Sequence, residues 1–407
     1  MIKYLDLFAG CGGLSEGFLQ TKKFEDVASV EWQESQVNTL RNRLKVKWRD
    51  NDADKKVLHF DIQREQELFQ GWKDDKKFKN GIGLDSLVNE AGGIDMIIGG
   101  PPCQAYSIAG RVRDENGMHD DYRNFLFEHY LSVVSRYQPK FFVFENVPGM
   151  LSANPNGINI VNEITKGFRS IGYKISNNLK KDAVLNASDY GVPQNRKRVI
   201  IFGVRNSYQD EHKNVDLVDE FYKIIKSKKV SKTLTVEDAI GDLPKFKPIF
   251  KKHIGRKSYE ELEENPFNWH KARYHNLRDM EIFRLLSEDI ESGRNKYINS
   301  EAISRLYEEK VGSKSPIHRY HVLRKDLPST TIIAHLHKDG NRFIHYDPKQ
   351  ARTLTPREAA RIQSFPDDFE FLGTQSSVYQ MIGNAVPPVF AEKIASSILD
   401  LIDTLKG

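Results

Sequence analysis

Short apolar runs alternate with helical patterns through the first two hundred residues. Residues 2–8 form an apolar run that predicts a strand, and residues 14–21 predict a helix after a glycine turn. Further strands are predicted at residues 27–30, 94–98, 141–144 and 199–204, and a further helix at residues 122–134. Because short buried strands alternate with helices, the pattern predicts a doubly wound, mostly parallel α/β sheet. The ligands of such sheets bind at the carboxyl ends of the strands.

The alternation ends after Arg205, and the following part of the chain predicts a second, smaller domain of mixed structure. Residues 245–253 form a basic stretch, and residues 206–350 contain nine of the 12 histidines. These residues also carry +4 of the formal net charge of +5. A local positive charge permits a polyanionic partner without requiring one. Helical signals return from Thr353, and residues 389–405 predict an amphipathic helix.

Composition excludes several classes of protein. The 407 residues include only 2 cysteines, Cys11 and Cys103, which excludes a disulfide scaffold and zinc sites built from three or four thiolates. The first residues show no signal-peptide pattern, so we expect a reducing cytosol. No apolar run approaches the roughly 20 residues that span a bilayer.

The glycine turn after the first predicted strand is typical of a nucleotide-binding loop. Glycines allow close approach of a ligand, and the following helix N-terminus favours polar or anionic groups. The dinucleotide fingerprint G-x-G-x-x-G is incomplete, because Gly10 and Gly12 fit it but Ser15 replaces the third glycine. NAD binding is the main rival interpretation, and the missing glycine counts against it; a tight turn without any ligand is the simpler alternative.

Polar side chains at the next two strand ends favour an adenosine ligand. Glu31 follows Gly10 by 21 residues, where a carboxylate accepts hydrogen bonds from ribose hydroxyls. Trp32 offers a ring that can stack on adenine. Asp61 and Ile62 follow another apolar pair and can flank the base, with Asp61 accepting from its amino group.

A Gly-Gly-Pro-Pro-Cys-Gln turn follows the strand predicted at residues 94–98. Two prolines preset the backbone before Cys103, whose thiolate could act as a nucleophile. The alternative is a buried, inert cysteine, which is common for free cysteines. Residues 104–124 are polar and contain glycine and arginine, and we interpret them as a loop able to close over a substrate.

Charged residues lie next to two further predicted strands, after the first and before the second. Glu145 ends the strand predicted at residues 141–144, and adjacent strands would bring it near Cys103 as an acid for a ring nitrogen. It could equally be a helix cap. Arg196 and Arg198 alternate in an extended segment, so their side chains point to the same side. They could bind a substrate carbonyl, a phosphate or Glu145, or form a solvated basic turn.

Six motif regions in a fixed order resemble the DNA (cytosine-5)-methyltransferase family of bacterial restriction-modification type. They are Asp-Leu-Phe-Ala-Gly-x-Gly-Gly from residue 6, Pro-Cys-Gln from 102, Glu-Asn-Val from 145, Gln-x-Arg-x-Arg from 194, Arg-Thr-Leu-Thr-Pro-Arg-Glu from 352 with Gln-Ser-Phe-Pro from 363, and Gly-Asn-Ala-Val from 383. The match extends from residue 4 to about residue 390 and is interrupted only by the variable middle. Any one motif alone would be weak evidence for the family, but six motifs in this order are strong evidence.

The resemblance implies a fold and a cofactor. The fold is a doubly wound S-adenosylmethionine-dependent methyltransferase sheet with a smaller, mixed target recognition domain. Residues 1–205, completed by 372–407, would form the catalytic and cofactor-binding domain, and residues 206–371 the target recognition domain. The residues that would bind S-adenosylmethionine are Phe8, Gly10, Gly12, Gly13, Leu14, Glu31, Trp32, Asp61, Ile62, Pro102, Asn384 and Val386.

The resemblance also implies a mechanism. Cys103 would attack carbon 6 of a cytosine that has been flipped out of the duplex. Glu145 would protonate ring nitrogen 3 or donate a hydrogen bond to it, Arg198 would hold the 2-oxo group, and Arg196 would support the site. Cys11, in the cofactor loop, would only fill space.

The implied partner is double-stranded DNA, with a cognate restriction endonuclease as a genetic rather than a physical partner. We expect a monomer in the bacterial cytosol, associated with the nucleoid and not with a membrane. A tRNA cytosine-5 methyltransferase of the same fold and a non-catalytic DNA-binding relative are the alternatives. We predict no metal site, because no cysteine or recognised ligand motif accompanies the histidines; we expect His318, His321, His335 and His337 to face DNA or solvent.

Overall fold

The described residues of the chain fold into two compact units. The computed structural model describes residues 1–101, 126–154, 159–251, 257–313 and 320–406. The first unit contains Met1–Gly191, Lys197–Ser231 and Ala385–Gly407. The second contains Val192–Arg196 and Lys232–Asn384.

An eight-stranded sheet forms the centre of the first unit, in the order β3-β2-β1-β6-β7-β10-β8 with β9 paired to β10. Its strands are β1 (Ile2–Leu7), β2 (Phe24–Glu31), β3 (Val57–His59), β6 (Met96–Gly99), β7 (Phe141–Asn146), β8 (Tyr173–Lys174), β9 (Val184–Asn186) and β10 (Lys197–Arg205). The five strands from β3 to β7 in this order run parallel to one another. Strands β8, β9 and β10 join antiparallel. The predicted mostly parallel α/β sheet is thus confirmed, with an antiparallel end.

Helices cover this sheet, and a small hairpin of β4 (Trp72–Asp75) and β5 (Lys79–Gly81) lies between two of them. The helices of the first unit are α1 (Gly13–Gln20), α2 (Glu34–Val46), α3 (Ala53–Lys56), α4 (Glu65–Gln70), α5 (Leu84–Glu90), α6 (Leu126–Tyr137), α7 (Ile160–Ser170), α8 (Leu179–Asp182), α9 (Asn206–Glu211), α10 (Leu217–Ser227) and α16 (Pro388–Thr404). The helix predicted at residues 122–134 corresponds to α6, and residues 122–125 lie outside the described residues. No helix in the described ranges has the length and apolar character needed to cross a membrane.

The three central parallel strands end at one edge of the sheet. In the register of β1, β6 and β7, Leu7 pairs with Gly99 and Gly99 pairs with Phe144. Strand β6 lies between the other two and is completely buried, which explains its uninterrupted apolar sequence. The segments that continue from these strands therefore begin side by side, and each contains residues of a predicted motif.

Two acids are buried between β1, β2 and α1. Asp6 accepts a hydrogen bond from Ser15 Oγ at 2.6 Å, and Asp26 accepts one from Ser29 Oγ at 3.0 Å. The pairing register of β1 with β2 shifts between Tyr4 and Leu5. Burial raises the pKa of Asp26 to about 7, so its protonated form is favoured in the folded state up to about neutral pH.

Helix α16 completes the first unit by packing against α1. A Cβ at Gly17 of α1 would lie 2.4 Å from the carbonyl oxygen of Pro388 and 2.5 Å from Ala391 Cβ. Only a glycine lets the two helices approach this closely. The first and last described segments of the chain thus share one core.

The observed unit boundaries differ from the predicted ones. The sequence predicts a boundary after Arg205, but residues up to Ser231 belong to the first unit because Phe221 of α10 stacks on Phe202 of β10 at 4.1 Å between ring centroids. The second predicted boundary, after residue 371, also shifts, since the second unit extends to Asn384. The proposed role of the second unit in target recognition stays a prediction.

The second unit combines short helices with a hairpin and a buried polar cluster. Its elements are β11 (Phe246–Pro248), β12 (Tyr259–Glu261), α11 (Val236–Ile240), α12 (Leu277–Glu291), α13 (Ser300–Val311), α14 (Pro356–Ile362) and α15 (Gln375–Asn384). Thr355 and Glu358 form a capping box at the start of α14, and both guanidinium Nη atoms of Arg352 donate to Glu358. The motif Arg-Thr-Leu-Thr-Pro-Arg-Glu from residue 352 thus has the spacing that this helix cap and this ion pair require.

Buried histidines accompany this cluster, and His275 and His345 are two of them. His275 lies 3.0 Å from Thr353 Oγ1 through Nε2, and His345 Nδ1 accepts the backbone N–H of Asp347. Burial, together with nearby arginines that include Arg352, lowers the pKa of each imidazole to about 3. Both histidines are therefore neutral in the folded protein at physiological pH.

We expect the second unit to lose stability as the pH falls below about 6.5. The unfolded chain binds a proton at each imidazole near pH 6.5, whereas the folded chain does so only near pH 3, so acid favours unfolding. Between pH 7 and pH 5 each histidine should cost about 2 kcal/mol of unfolding free energy. Urea unfolding at pH 7 and at pH 5, followed by circular dichroism, measures this.

The variant His275→Gln isolates the effect, because Asp26 in the first unit titrates in the opposite sense. The variant should show a pH dependence that is smaller by about 2 kcal/mol over this interval. An identical pH dependence in the variant and the wild type would contradict the argument.

Candidate active site

The loop that follows β1 has an unusual backbone. Phe8, Gly10 and Gly12 all adopt positive φ angles, of 60°, 60° and 90°. For an aromatic residue such as Phe8 this conformation is strained, and strained residues cluster at functional sites. Helix α1 begins directly afterwards at Gly13, so backbone N–H groups of its first turn lie at this edge of the sheet.

Glu31 joins this loop to the end of β2. Its Oε2 accepts the N–H of Gly10 at 3.0 Å, and its Oε1 accepts the N–H groups of Trp32 and Gln33 at 3.0 and 2.8 Å. Glu31 is 7% exposed. Burial raises its pKa to about 6, although the three backbone hydrogen bonds oppose the shift.

The glycines of the loop lie close against side chains of α2. A Cβ at Gly12 would lie 2.5 Å from Leu40 Cδ1, and one at Gly10 would lie 3.1 Å from Gln36 Oε1. The sequence-based interpretation attributed these glycines to close approach of a ligand. In the structure, their positive φ angles and the side chains of α2 behind them favour glycine independently of any ligand.

The residues around this loop fit an adenosyl group. A carboxylate offers about four acceptor positions, so three backbone bonds leave Glu31 capacity for a ribose hydroxyl. Trp32 is 47% exposed, which leaves indole surface for a base. Asp61 is half-buried and already accepts the N–H of Gln63 through Oδ1. Acceptors and an aromatic ring thus lie at neighbouring strand ends.

The other residues predicted to bind the cofactor differ in position. Leu14, Ile62 and Val386 are buried in the first unit, at 5%, 5% and 8% exposure. Asn384 is exposed and is the last residue of α15, in the second unit. Pro102 lies outside the described residues. Cys11 is buried, and burial raises the pKa of its thiol to about 12, which agrees with a space-filling role.

Glu145 and Arg198 form an ion pair at the end of β7. Arg198 Nε donates to Glu145 Oε1 at 2.8 Å, and the two side chains are only 12% and 13% exposed. The antiparallel register of β7 and β10 brings them together, since Ile200 pairs with Glu145. The sequence analysis considered Glu145 as a partner of one of the two arginines, and the structure selects Arg198.

The segment that leads to Cys103 passes along this pair. A Cβ at Gly100 would lie 2.6 Å from Glu145 Oε2, and Asn146 Nδ2 donates to the carbonyl oxygen of Pro101 at 3.4 Å. Glu145 therefore lies against the backbone three residues before Cys103. Cys103 itself and the predicted closing loop at residues 104–124 lie outside the described residues.

Arg196 has a different environment from Arg198. It belongs to the second unit, is 1% exposed, and donates to the carbonyl oxygens of Ile332 at 2.7 Å and Gly383 at 3.1 Å. A guanidinium bound to two backbone carbonyls fixes those segments. This arrangement fits the predicted supporting role of Arg196, which stays a prediction.

The sequence analysis missed a buried ion pair behind the cofactor loop. Arg43 of α2 donates to both carboxylate oxygens of Glu16 in α1, at 2.9 and 2.6 Å, and Trp48 Nε1 donates to the same carboxylate at 3.0 Å. This pair joins the helix after the glycine loop to the helix after Glu31. The available signal was Glu16 itself, a charged residue within the apolar pattern of α1.

The histidines singled out in the sequence occupy various positions. His321 is exposed, His335 and His337 are half-buried, and His318 lies outside the described residues. His337 Nδ1 lies 2.7 Å from the carbonyl oxygen of Ala334. Within the described part of the chain, no three His, Cys, Asp or Glu residues are grouped so that they could hold a metal ion.

Comparison with known proteins extends over nearly the whole chain. The model of the C-5 cytosine-specific DNA methylase family matches residues 2–400. The type II methyltransferase M.Bpa9945I of Bacillus paralicheniformis is 34% identical over 452 residues, covering 98% of this chain and 99% of that protein. The type II methyltransferase M1.HphI of Haemophilus parahaemolyticus is 33% identical over 400 residues, covering 98% and 87% of the two chains.

Solved structures show the same fold. A prophage-encoded protein of E. coli, assigned as a DNA modification methyltransferase, aligns with a TM-score of 0.64 and 24% identity, over 99% of this chain and 100% of that chain. The Dnmt2 methyltransferase of S. pombe aligns with a TM-score of 0.55 and 15% identity, over 100% of both chains.

Proposed function

Because the chain belongs to the C-5 cytosine-specific DNA methylase family, whose methyl donor is S-adenosylmethionine, we propose that it modifies one specific sequence in double-stranded DNA. The observation that carries the proposal is the ion pair of Glu145 and Arg198 beside Gly100, three residues before Cys103. The similar proteins named as type II methyltransferases support a role as the modification enzyme of a restriction-modification system.

The proposed reaction begins with covalent addition. Carbon 5 of cytosine is a poor nucleophile, and the Cys103 thiolate forms a bond to carbon 6 while the electrons of the 5,6 double bond move towards carbon 5. Glu145 donates a proton or a hydrogen bond to ring nitrogen 3, and Arg198 donates to the 2-oxo group. A guanidinium presents five N–H donors, so Arg198 can bind Glu145 and a substrate oxygen together.

The cofactor, when bound, supplies an electrophilic methyl group. A base then removes the proton from carbon 5, the electron pair re-forms the double bond, and the thiolate leaves carbon 6. Addition and elimination thus divide one difficult substitution into easier steps. Because a stacked cytosine cannot reach these side chains, we propose that it is flipped out of the duplex, at a cost of a few kcal/mol.

We propose that the second unit, Val192–Arg196 and Lys232–Asn384, contains the surface that selects the DNA sequence. The excess positive charge of residues 206–350 favours phosphate contacts, and DNA affinity should therefore fall with salt. The partner endonuclease would recognise the same sequence without binding this chain. The enzyme would work as a monomer in the cytosol, at the nucleoid.

The test is methyl transfer with two substrates side by side. The purified full chain is incubated with S-adenosylmethionine carrying a labelled methyl group and with either duplex DNA or tRNA. We expect label in DNA, and bisulfite sequencing of DNA from expressing cells should locate it at one sequence. Label only in tRNA, or on an atom other than carbon 5, would overturn the proposal.

A further inference from the structure

The hairpin of β4 and β5 is fixed against the end of β3. The ring of Trp72 stacks on Phe60 with 3.8 Å between centroids, and the ring of Phe78 meets His59 edge-on at 5.0 Å. Both Phe60 and Trp72 are buried. The hairpin is therefore anchored next to the segment that contains Asp61 and Ile62.

The turn of this hairpin is held by Asp75. Its Oδ1 accepts the N–H groups of Lys77 and Phe78, both at 2.8 Å, and its Oδ2 accepts Arg64 Nη1 at 2.7 Å. Three hydrogen bonds to one carboxylate fix the backbone at Lys77. The direction in which Lys77 leaves the turn is set by these bonds.

Lys77 reaches the exposed ring of Trp32. Its Nζ lies 5.1 Å from the centroid of the Trp32 ring and 4.7 Å from that of Phe78, within the range of cation–π attraction. His59 Nε2 lies 3.0 Å from the carbonyl oxygen of Trp32, which holds the backbone of the same residue. Among the residues that the structure describes, Lys77 has no carboxylate partner, so the ammonium charge is available to the rings.

We propose that Lys77 is a positioning residue of the cofactor site, holding the Trp32 indole in the orientation that stacks on the adenine. The inference rests on the proposed function, which assigns the adenine to Trp32. A ring that is 47% exposed can rotate about its side-chain bonds, and a ligand that stacks on it must suppress this rotation. Lys77 lies over the ring, so part of the ordering of the indole is complete before a ligand binds.

The experiment measures equilibrium dissociation constants by isothermal titration calorimetry, without DNA or turnover. The ligands are S-adenosylmethionine and S-adenosylhomocysteine, which share the adenosyl group but differ in charge at sulfur. Lys77→Ala should weaken the binding of both ligands by the same factor, roughly two- to fivefold, which corresponds to the energy of an exposed cation–π contact. Lys76→Ala, one residue away on the same turn and also exposed, should leave both constants unchanged.

A second pair of variants separates the inference from the proposed function. Trp32→Ala should weaken both ligands, and Lys77→Ala should then have no further effect in the Trp32→Ala background. If Trp32→Ala weakens binding but Lys77→Ala does not, or if Lys77→Ala tightens it, the role of Lys77 is wrong while the adenine site stands. If neither variant changes affinity, the assignment of Trp32 fails and the role of Lys77 with it.

Discussion

Cys103→Ala is expected to abolish methyl transfer to DNA, with a loss of at least about 10³-fold in kcat. Without the thiolate, carbon 5 of the cytosine stays unactivated, and the remaining groups can only bind and orient the base. The cofactor loop and the second unit are unchanged, so the dissociation constants for S-adenosylmethionine and DNA should change little. Single-turnover transfer of labelled methyl, together with DNA binding by gel shift, measures both quantities.

The chain contains a matched control for this variant in its other cysteine. Cys11 is buried and its thiol pKa is about 12, so Cys11→Ala should retain kcat within about twofold. A duplex with 5-fluorocytosine at the target carries fluorine in place of the proton on carbon 5, so the elimination step cannot occur. The wild type and Cys11→Ala should form a complex with it that survives denaturing electrophoresis. Full activity of Cys103→Ala, or a stable complex with it, would contradict covalent addition.

Arg198→Met is expected to lower kcat by roughly 10²- to 10³-fold and the unfolding free energy by about 3 kcal/mol. The methionine preserves the bulk of the side chain but leaves the carboxylate of Glu145, only 13% exposed, without its partner. It also removes the proposed donor to the 2-oxo group. Kinetics at saturating cofactor and DNA give the first quantity, and urea unfolding gives the second.

Two further variants separate the effect on kcat from the effect on the unfolding free energy. Glu145→Gln retains a hydrogen-bonding group of the same shape and removes only the acid, so kcat should fall while the unfolding free energy changes by less than in Arg198→Met. Lys197→Met, on the exposed neighbouring residue, is the control and should leave kcat and stability close to wild type. An unchanged kcat in Glu145→Gln would show that this carboxyl takes no part in the reaction.

Apolar runs were sufficient to predict the central strands. Strands β1, β2, β6, β7 and β10 lie where the sequence predicted them, because strands buried on both faces have few polar positions. The matches with the family model and with its members confirm the predicted family, the enzyme class and the cofactor. The roles of individual residues stay predictions, as do the monomeric state and the nucleoid location.

The structural features that the sequence did not predict depend on contacts between distant segments. The antiparallel direction of β10 is set by its pairing with β7, β8 and β9, which no local pattern encodes. The sequence analysis assigned Glu31 to the ribose but did not predict that its carboxylate also accepts the backbone N–H groups of Gly10, Trp32 and Gln33. The partners of Arg196 are 136 and 187 residues away, and spacing alone could not distinguish it from Arg198.

The close crossing of α1 and α16 has a consequence for synthesis. Gly17 meets Pro388 and Ala391 in the core of the first unit, and the whole of Lys232–Asn384 is translated between these segments. Contacts between segments so distant in the sequence form late and slow the folding of a domain. The sheet emerges from the ribosome long before the helix that covers Gly17. We therefore expect the nascent chain to expose this face of α1 until translation has passed α16, and chaperones to bind it there.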